Sequence, residues 1–402
     1  MKLKILHIVG GHFSGGAFKG AYILHENLKK LKVKSKIIND EIKNKKVINE
    51  KDFGYINDNL YLKLLHFIFV SIEKLIKFIF LSKKRSSFTL GLFGFDITKS
   101  KFYKKADLIH FHWFGDGFIK LKTLNKIKKP IVWTMRDMWC FTGGPHYISD
   151  YVNYEKTLLS KYIKEHKKKN FNKNIQFIAI SDWLKRKAKS SYVLKNSNVK
   201  RIYNNVDHKQ FQPVKKSFAR LKLKIFTKKK IILFGAENPQ NTRKGWNLLL
   251  DTIKKLNKDD YYLIIFGKFW SERLIRDTGI QYKSFGYIED KKILSYIYSC
   301  ADVFLAISNE EAFGKTWAES LLCNTPLICF KNSSTSEIIQ HKINGYVCSK
   351  KDSKHLKMAI EWMLSSKRKK RMEKNFRELC KIFKPEYIAK QYINIYKSLI
   401  QK

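Results

Sequence analysis

Apolar residues follow two patterns along the first half of the chain. Short continuous runs alternate with longer stretches in which an apolar residue recurs about every third or fourth position. The runs predict buried strands and the periodic stretches predict amphipathic helices. Strands are predicted at 2–9, 34–40, 108–114, 130–137, 175–181 and 199–206. Strands that alternate with helices indicate a doubly wound α/β domain, which we place at residues 1–207.

The same alternation starts again after a basic linker at 215–229. Strands are predicted at 231–235, 262–267, 282–287, 301–307, 325–330 and 345–348. This series predicts a second Rossmann-like domain at 208–385, and a last helix at 386–402 that crosses back to the first domain. The predicted fold class is therefore α/β, with two Rossmann-like doubly wound domains facing across a cleft.

Length and charge narrow the class of protein. The chain has 402 residues, which favours two domains. Its 81 Lys and Arg residues exceed its 34 Asp and Glu residues and give a formal net charge of +47. Because lysine is spread over nearly every segment, a general compositional bias is favoured over a nucleic-acid site, although the charge should attract anionic lipid surfaces and polyanions. The six cysteines form no Cys-x-x-Cys pair, which fits a reducing compartment.

Residues 59–81 form the most apolar segment of the chain. Lys63, Glu73 and Lys77 interrupt it too often for a comfortable transmembrane helix. A basic stretch, 83–85, follows it. The pattern leaves two interpretations open: a helix packed in the core, or an amphipathic helix lying on a membrane, with 59–85 as the membrane-interface segment.

The chemistry of the second domain is expected around residues 308–320. An apolar strand pattern ends there, and the chain turns through Gly314 into a helix predicted from Lys315 to Cys323. Backbone N–H groups at Phe313, Gly314 and Lys315 can then receive an anion at the helix N-terminus. Glu311 and Glu319 bracket the turn, and carboxylates beside such donors suit a ligand that carries both phosphates and hydroxyls.

Further residues are placed to contact phosphates. Arg243 and Lys244 lie between a predicted strand and the next helix, where cations can balance a diphosphate. Gly15 and Gly16 follow the first strand and allow close approach of the backbone to a ligand.

The chain has no Asp-x-Asp motif and no His–Cys cluster, the residue patterns that would bind a metal ion. We therefore expect no metal and no cofactor other than the co-substrate.

Several motifs together resemble one enzyme family. The segment from Glu311 to Glu319 is similar to the E-x7-E motif of retaining GT-B glycosyltransferases of family 4, and Arg243-Lys244-Gly245 resembles the Arg-Lys-Gly element of that family. The similarity extends to Ile202–Asp207, to Glu337 with Asn344-Gly345, to Gly15–Ala17, to Ala106–Trp113 and to Pro130–Gly144. The N-terminal motifs resemble the branch that builds bacterial capsular polysaccharides, exopolysaccharides and lipopolysaccharides.

The resemblance implies a role for each matching donor-side residue. Glu319 should bind the ribose hydroxyls of the nucleotide, and Glu311 should contact the donor sugar. Arg243 and Lys244 should balance the diphosphate. Gly15 and Gly16 should let the backbone of the first domain approach the phosphates.

The resemblance also implies a histidine beside the reacting centre, for which we favour His112 over His110. No protein base is obligatory in retaining transfer, because the leaving phosphate can take the proton of the acceptor. On the acceptor side we place His110, Arg136 and Asp137. The branch usually has His-Asp-Met-Trp where this chain has Arg136 and the residues after it, and an arginine brings a permanent charge in place of a base.

The function expected from these features is transfer of a hexose from a UDP- or GDP-linked sugar to a lipid-linked or oligosaccharide acceptor in surface polysaccharide synthesis. The enzyme should be cytoplasmic and peripheral on the inner face of the cell membrane, with no specific nucleic-acid partner. The alternative is a basic protein that binds polyanions or nucleic acid on a degenerate GT-B scaffold. A phosphorylase or an epimerase on the same plan is less favoured, because no cofactor lysine is identifiable and such epimerases lack the 311–319 arrangement.

Overall fold

The chain divides into two compact units. The computed structural model describes residues 3–13, 15–40, 52–55, 59–81, 86–151, 153–171, 174–269, 271–365 and 376–401. Unit 1 comprises Met1–Asn205 together with Pro385–Lys402, and unit 2 comprises Val206–Lys384. The chain therefore builds most of unit 1, then all of unit 2, and returns to unit 1 for its last helix. The sequence analysis placed the two boundaries at 207 and 385.

Unit 1 contains a seven-stranded sheet. Its strands are β1 (Lys4–Ile8), β2 (Lys34–Asn39), β3 (Phe53–Tyr55), β4 (Leu108–Phe111), β5 (Ile131–Met135), β6 (Ile175–Ala179) and β7 (Val199–Arg201). They are arranged in the order β3-β2-β1-β4-β5-β6-β7, and every pairing is parallel. Their side chains are buried almost without alternation, as expected for a parallel sheet covered on both faces.

Helices connect these strands. They are α1 (Gly16–Lys30), α2 (Leu60–Phe80), α3 (Lys101–Lys105), α4 (Leu158–Asn170), α5 (Asp182–Lys189) and, at the end of the chain, α13 (Pro385–Ile400). Short 3-10 helices lie at Ile97–Lys99, Leu121–Lys126, Trp139–Phe141, Ile148–Asp150 and Tyr154–Lys156. The last helix packs against α1.

Unit 2 repeats the plan with a six-stranded parallel sheet. Its strands are β8 (Lys230–Gly235), β9 (Tyr261–Phe266), β10 (Gln281–Ser284), β11 (Val303–Ala306), β12 (Leu327–Phe330) and β13 (Gly345–Cys348), in the order β10-β9-β8-β11-β12-β13. Its helices are α6 (Lys216–Lys222), α7 (Trp246–Ile253), α8 (Arg273–Arg276), α9 (Lys291–Cys300), α10 (Lys315–Leu322), α11 (Ser353–Leu364) and α12 (Phe376–Leu379). Its 3-10 helices are Thr242–Lys244, Thr335–Glu337 and Cys380–Phe383.

The predicted α/β class with two Rossmann-like sheets is confirmed. All twelve predicted strands are present, and the sequence analysis missed only β3 among the strands of the described residues. Three residues are too few to show a strand period, and Gly54 lies at the centre of β3. A Cβ atom on Gly54 would lie 2.3 Å from Cε2 of Phe102, so the ring occupies the space of the missing side chain. The contact between Gly54 and Phe102 joins residues far apart in the chain, so local sequence does not show it.

Candidate active site

The strand order locates the site within each sheet. It reverses between β1 and β4 in unit 1, and between β8 and β11 in unit 2. At such a point the loops after neighbouring strands run in opposite directions, so a crevice opens at the carboxyl ends of the strands. The loop after β4 carries His112, and the loops after β8 and β11 carry Lys244 and Glu311. These predicted residues therefore lie at the switch points of their own sheets.

The helices that follow the switch-point strands β1, β8 and β11 each begin at a glycine. Side chains of Asn59, Ser100, Thr157, Ser181, Asp290 and Asp352 accept hydrogen bonds from the first turns of α2, α3, α4, α5, α9 and α11. By contrast, α1, α7 and α10 begin at Gly15, Gly245 and Gly314, with no side-chain cap from the described residues. A glycine at a helix start lets a ligand approach the backbone closely, and binding of an anion at the N-terminus of α10 stays a prediction.

A cavity lies at the switch point of unit 2. It is bounded by the ends of β8 and β11, by the start of α10 and by the segment after β12. Its walls are formed by Phe234, Gly235, Ala236, Lys244, Phe304, Leu305, Ala306, Ser308, Glu311, Gly314, Thr316, Trp317, Ser333 and Thr335. It combines one cation, one carboxylate and several hydroxyl groups with an apolar floor. A polar, charged ligand such as a diphosphate ester fits this lining better than a purely apolar one.

Lys244 and Glu311 form an ion pair in this cavity. The Nζ atom of Lys244 donates to Oε2 of Glu311, and the two side chains are 19% and 17% exposed. Burial lowers the pKa of Lys244. Burial opposes ionisation of Glu311 as well, but the charges of Lys244 and Arg243 outweigh it and lower the pKa of Glu311. The neighbouring cations therefore favour ionised Glu311, and the pair lies at the wall of a pocket where either group can exchange its partner for a charged ligand.

Two glycines allow this pair to form. Gly245 has φ +89°, and a Cβ atom there would lie 2.4 Å from the carbonyl oxygen of Ile307. Gly314 has φ +83°, and a Cβ atom there would lie 2.6 Å from Cδ1 of Trp317 and 3.0 Å from Cγ of Glu311. Both positions need the left-handed conformation and leave no room for a side chain. The turns after β8 and β11 therefore pack closely enough for Lys244 to contact Glu311.

The neighbouring predicted residues have mainly structural contacts. Arg243 donates through Nη1 to the carbonyl oxygen of Glu310 at 2.9 Å, which ties the loop after β8 to the loop after β11. Phe313 is buried, and its carbonyl oxygen accepts from Trp317 Nε1 and from Ser334 Oγ. Lys315 is the half-buried first residue of α10. Their predicted part in diphosphate binding stays a prediction.

Glu319 is positioned by a tyrosine that the sequence analysis missed. The hydroxyl of Tyr298, on α9, donates to Oε2 of Glu319 at 2.8 Å, and both residues are buried. The ring of Tyr298 is fixed by edge-on contacts with Phe211, Phe266 and Phe304. One carboxylate oxygen of Glu319 is thus held by a rigid donor. Glu319 is not among the residues that line the cavity, and its contact with the ribose stays a prediction.

In unit 1, His112 belongs to a chain of buried hydrogen bonds. The Nη2 atom of Arg136 lies 3.1 Å from Nδ1 of His112, and Nε2 of His112 lies 2.9 Å from Nδ1 of His7. Because a guanidinium only donates, Nδ1 of His112 must accept, and its proton resides on Nε2 and points to His7. Burial, then His110 and Arg136, lower the pKa of His112 well below 6.5, so the ring is neutral at pH 7.

This arrangement bears on the predicted role of His112. Its side chain is almost fully buried, and both ring nitrogens are bonded inside unit 1. Contact between an imidazole nitrogen and a sugar hydroxyl therefore requires Arg136 or His7 to move away. Arg136 itself is half-buried and also donates through Nη1 to Oδ1 of Asn204 at 2.7 Å. The catalytic assignment of His112 stays a prediction.

His110 lies beside His112 but has different partners. The two rings have centroids 4.0 Å apart, in agreement with side chains two positions apart in extended backbone at the end of β4. His110 bonds through Nδ1 to the hydroxyl of Tyr396 at 2.7 Å and through Nε2 to Oγ1 of Thr134 at 2.8 Å. Since Tyr396 is on α13, His110 fastens the last helix of the chain to the sheet of unit 1. Its predicted place on the acceptor side stays a prediction.

Three imidazoles close together could also bind a metal ion. Ligand atoms of His7, His110 and His112 all lie within 4.8 Å of one another. Zinc sites use such histidines, but each ligand must direct a lone pair at the ion. Here the lone pair of His112 Nδ1 points at the guanidinium of Arg136, and His110 uses both nitrogens for hydroxyl partners. The observed bonding therefore favours a hydrogen-bonded chain over a metal site.

Asp137 has a structural task in the loop after β5. Its Oδ1 atom accepts from the backbone N–H of Trp139 at 2.9 Å, and its Oδ2 atom lies 2.7 Å from Nδ1 of His146. His146 in turn bonds to Oγ1 of Thr89 at 3.0 Å. The acceptor-side role predicted for Asp137 would add to these contacts.

Gly15 and Gly16 lie at the start of α1, the helix that follows switch-point strand β1 in unit 1. The N–H of Gly15 donates to the carbonyl oxygen of His12 at 2.8 Å. A Cβ atom added to Gly16 would meet no heavy atom within 4 Å. The backbone at Gly16 is thus accessible to a ligand, which the predicted approach to the donor phosphates requires.

Two models of protein families match the chain. The model described as Glycosyltransferase Family 4 matches residues 15–210, and the model described as Glycosyl transferases group 1 matches residues 215–379. The first range falls almost wholly on unit 1 and the second lies within unit 2. The match therefore accounts for the two units as two domains of one known architecture.

Among curated proteins, two relatives align over most of the chain. An uncharacterised glycosyltransferase of Methanocaldococcus jannaschii is 24% identical over 322 residues, 77% of each chain. An uncharacterised 41.2 kDa protein from the cps region of Klebsiella pneumoniae is 25% identical over 318 residues, 75% of this chain and 82% of that one. Both alignments extend through unit 1 and unit 2.

Solved structures share the fold at low sequence identity. Sucrose-phosphate synthase from Thermosynechococcus elongatus has a TM-score of 0.73 at 18% identity, covering 100% of both chains. The Anabaena protein HepE in complex with UDP-glucose has a TM-score of 0.68 at 16% identity, covering 98% of this chain and 100% of that one. With two matching domain families, two parallel sheets and an ion pair at the second switch point, the chain belongs to the GT-B glycosyltransferases and carries the domains of family 4 and group 1.

Proposed function

We propose that the protein is a retaining glycosyltransferase that moves a hexose from a UDP- or GDP-linked sugar to a lipid-linked or oligosaccharide acceptor. The observation that carries the donor assignment is the Lys244–Glu311 pair in the cavity of unit 2. The UDP-glucose complex of the Anabaena neighbour supports a sugar nucleotide as the ligand. The position of a relative in the cps region of Klebsiella pneumoniae supports a role in surface polysaccharide synthesis.

The cavity suggests how donor binding would proceed. The diphosphate offers Lys244 a stronger anionic partner than Glu311, so the ammonium turns to the phosphates and the carboxylate is released toward the sugar. The N-terminal N–H groups of α10 add partial positive charge on the same side. The same groups stabilise the charge that develops on the leaving diphosphate, which is the larger part of the catalytic effect we expect.

This arrangement also supports transfer without a metal. A cationic side chain and a helix N-terminus would balance the leaving group in place of a divalent ion. We therefore expect transfer to proceed unchanged after treatment with EDTA. Loss of activity that Mg²⁺ or Mn²⁺ restores would contradict this part of the proposal.

The first experiment is a thermal-shift screen of UDP-, GDP- and ADP-sugars with the full-length protein. A donor at about 100 times its Kd should raise the free energy of unfolding by about 2.7 kcal/mol. Lys244→Ala and Glu319→Ala should lose that shift together with sugar transfer. Lys268→Ala removes an exposed lysine of the same unit that lies outside the cavity, and should behave like the wild type.

Two outcomes would contradict the proposal. Full transfer activity in Lys244→Ala or Glu319→Ala would reject the site assignment. Absence of any shift with every sugar nucleotide, together with DNA binding that weakens steeply with salt, would favour the alternative of a polyanion-binding protein suggested by the net charge of +47.

A further inference from the structure

Apolar side chains dominate the outer face of α2 from its first turn to its last, with exposed Ser71 between them. The exposed apolar residues of this face are Leu60, Tyr61, Leu64, Phe67, Ile68, Leu75, Phe78 and Ile79, each between 40% and 82% exposed. Leu60, Leu64, Phe67, Leu75 and Phe78 are spaced so that they lie along one line of the helix. Isolated exposed apolar residues are ordinary, but so many on one face of one helix mark an interaction surface.

The opposite face of α2 is firmly attached to unit 1. Lys77 donates to Oδ2 of Asp116 at 2.5 Å, and Nε2 of His66 lies 3.3 Å from the carbonyl oxygen of Asp116. Phe69 contacts Phe95 edge-on. On this side the helix therefore already has its partners within unit 1, and the outer face is the side it presents to something else.

Charge distinguishes the two faces further. Glu73, the one acidic residue of α2, is fully buried on the inner side, where its Oε2 atom accepts from the N–H of Leu90 at 3.4 Å. Lys63 and Lys74 are exposed and lie on one flank of the apolar line. The outer face thus combines apolar side chains with positive charge only.

No helix in the described part of the chain has both the length and the apolar character needed to cross a bilayer. In α2 four charged residues, Lys63, Glu73, Lys74 and Lys77, make a transmembrane placement unfavourable, because a charged side chain is costly to place in hydrocarbon. A helix of this kind lies in the plane of an interface, with its apolar face in the acyl boundary and its lysines at the headgroups.

We propose that the outer face of α2 docks unit 1 on an anionic lipid bilayer. Positive residues at its flank match negative headgroups, and a net charge of +47 attracts the whole protein to such a surface. A second copy of the chain is a poorer occupant, because it would bring the same lysines and the same net charge into contact. The face belongs to unit 1 whereas the sugar-nucleotide cavity belongs to unit 2, so the proposal is tested without reference to transfer.

The test is co-sedimentation of the full-length protein with vesicles. Vesicles of phosphatidylcholine with phosphatidylglycerol should bind the wild type, and vesicles of phosphatidylcholine alone should bind it much less. The double variant Phe67→Ser/Phe78→Ser should bind the anionic vesicles at least about tenfold more weakly, because two large apolar side chains no longer enter the bilayer. The matched control Leu158→Ser/Phe226→Ser removes two equally exposed apolar side chains outside α2 and should bind like the wild type.

The lysines are tested separately. Lys63→Gln and Lys74→Gln should each weaken binding to the anionic vesicles by about fivefold, with no effect on vesicles of phosphatidylcholine alone. Equal vesicle binding by the wild type and Phe67→Ser/Phe78→Ser would overturn the proposal. The proposal would also be overturned if light scattering shows that the wild type is a dimer, that it does not bind vesicles, and that Phe67→Ser/Phe78→Ser is a monomer.

The thermal shift with a sugar nucleotide distinguishes this result from failure of the proposed function. Phe67→Ser/Phe78→Ser should keep the shift of the wild type while losing vesicle binding. If no sugar nucleotide shifts either protein and vesicle binding still depends on Phe67 and Phe78, the docking surface stands and the donor assignment falls.

Discussion

Hydrogen-bonding capacity decides what individual buried residues can do in unit 1. Arg136 has donors only, so it fixes the tautomer of His112, and His112 in turn fixes the tautomer of His7. A histidine at position 136 could donate or accept a hydrogen bond, so it would not determine the tautomers of His112 and His7. Gly20 provides the space, since a Cβ atom there would lie 2.6 Å from Nη1 of Arg136. Arg136, which stands where the family branch usually has a histidine, is thus accommodated by residues far from it in sequence.

The bond between Tyr298 and Glu319 gives the first prediction at this scale. Tyr298→Phe removes the donor that orients the carboxylate, and with the proposed ribose contact the nucleotide would then meet a less well-placed acceptor. We expect the KM for the donor to rise about tenfold, with kcat changed little, because the proposed contact is to the nucleotide and not to the reacting atoms.

A second tyrosine–glutamate bond in unit 2 supplies the control. The hydroxyl of Tyr282 donates to Oε2 of Glu272 at 3.0 Å, and neither residue is among those predicted to bind the donor. Tyr282→Phe should leave steady-state kinetics unchanged. If Tyr298→Phe lowers kcat and leaves KM untouched, Tyr298 does not position Glu319 for the nucleotide.

The sequence predicted Lys244 and Glu311, the two charged residues that line the cavity, but not the residues that hold the site in place. Each of them belongs to a motif that follows a strand, so its placement beside a strand end follows from local pattern. Tyr298 lies in an amphipathic helix, where an aromatic residue usually indicates only core packing. Its bond to Glu319 depends on how α9 and α10 pack, which is a tertiary property. Asn344 belongs to a family motif, but its buried side-chain amide has a structural role. Its Oδ1 atom accepts from the N–H of Gln340 and its Nδ2 atom donates to the carbonyl oxygen of Ile338, so it stabilises its own loop.

At the scale of elements, the two faces of α2 differ in burial. The sequence left open whether this helix packs in the core or lies on a membrane. Its inner face packs on unit 1 and its outer face is exposed, and contact of that outer face with a membrane stays a prediction. Amphipathic spacing predicted the helix, but hydrophobicity on nearly all sides hid which face is buried. Residues 83–85, expected as its basic flank, lie outside the described residues.

The inner face gives the second prediction. Burial, reinforced by the charge of Asp116, raises the pKa of Glu73 from an ordinary value of 4.5 to about 8. The folded protein therefore binds a proton that the unfolded chain releases, and the free energy of unfolding must fall as pH rises from about 4.5 to 8. Glu73→Gln abolishes this loss, so relative to the wild type it should gain on the order of 2–4 kcal/mol between pH 5 and pH 8.

Urea unfolding of both proteins at the two pH values measures that difference. Glu361→Gln changes a glutamate on α11 whose side chain is 47% exposed, and it should show no such pH dependence. A constant difference between Glu73→Gln and the wild type from pH 5 to pH 8 would show that Glu73 is ionised in the folded state.

For the whole molecule, the order of the chain makes the two units unequal. Unit 2 is one continuous segment, Val206–Lys384, whereas unit 1 needs the last helix of the chain. That helix supplies Tyr396, which bonds to His110, and Tyr392, whose hydroxyl lies 2.8 Å from Oγ1 of Thr134. The sequence predicted the return of this helix, but not that its tyrosines would meet polar groups on two central strands.

The last prediction follows from this inequality and from the position of the Lys244–Glu311 pair. Because every residue of the cavity and Tyr298 lie within Val206–Lys384, that fragment should unfold cooperatively and gain stability from the donor nucleotide alone. At about 100 times Kd, a gain of about 2.7 kcal/mol corresponds to a rise in Tm of roughly 5–10 °C for a domain of this size. The same fragment with Lys244→Ala should unfold alike but show no rise. If the folded fragment is not stabilised by a nucleotide that stabilises the full chain, unit 1 provides essential contacts.

Fragment 1–205 lacks Tyr392 and Tyr396, so His110 and Thr134 lose those hydrogen-bond partners. This fragment should be markedly less stable than unit 1 in the intact protein.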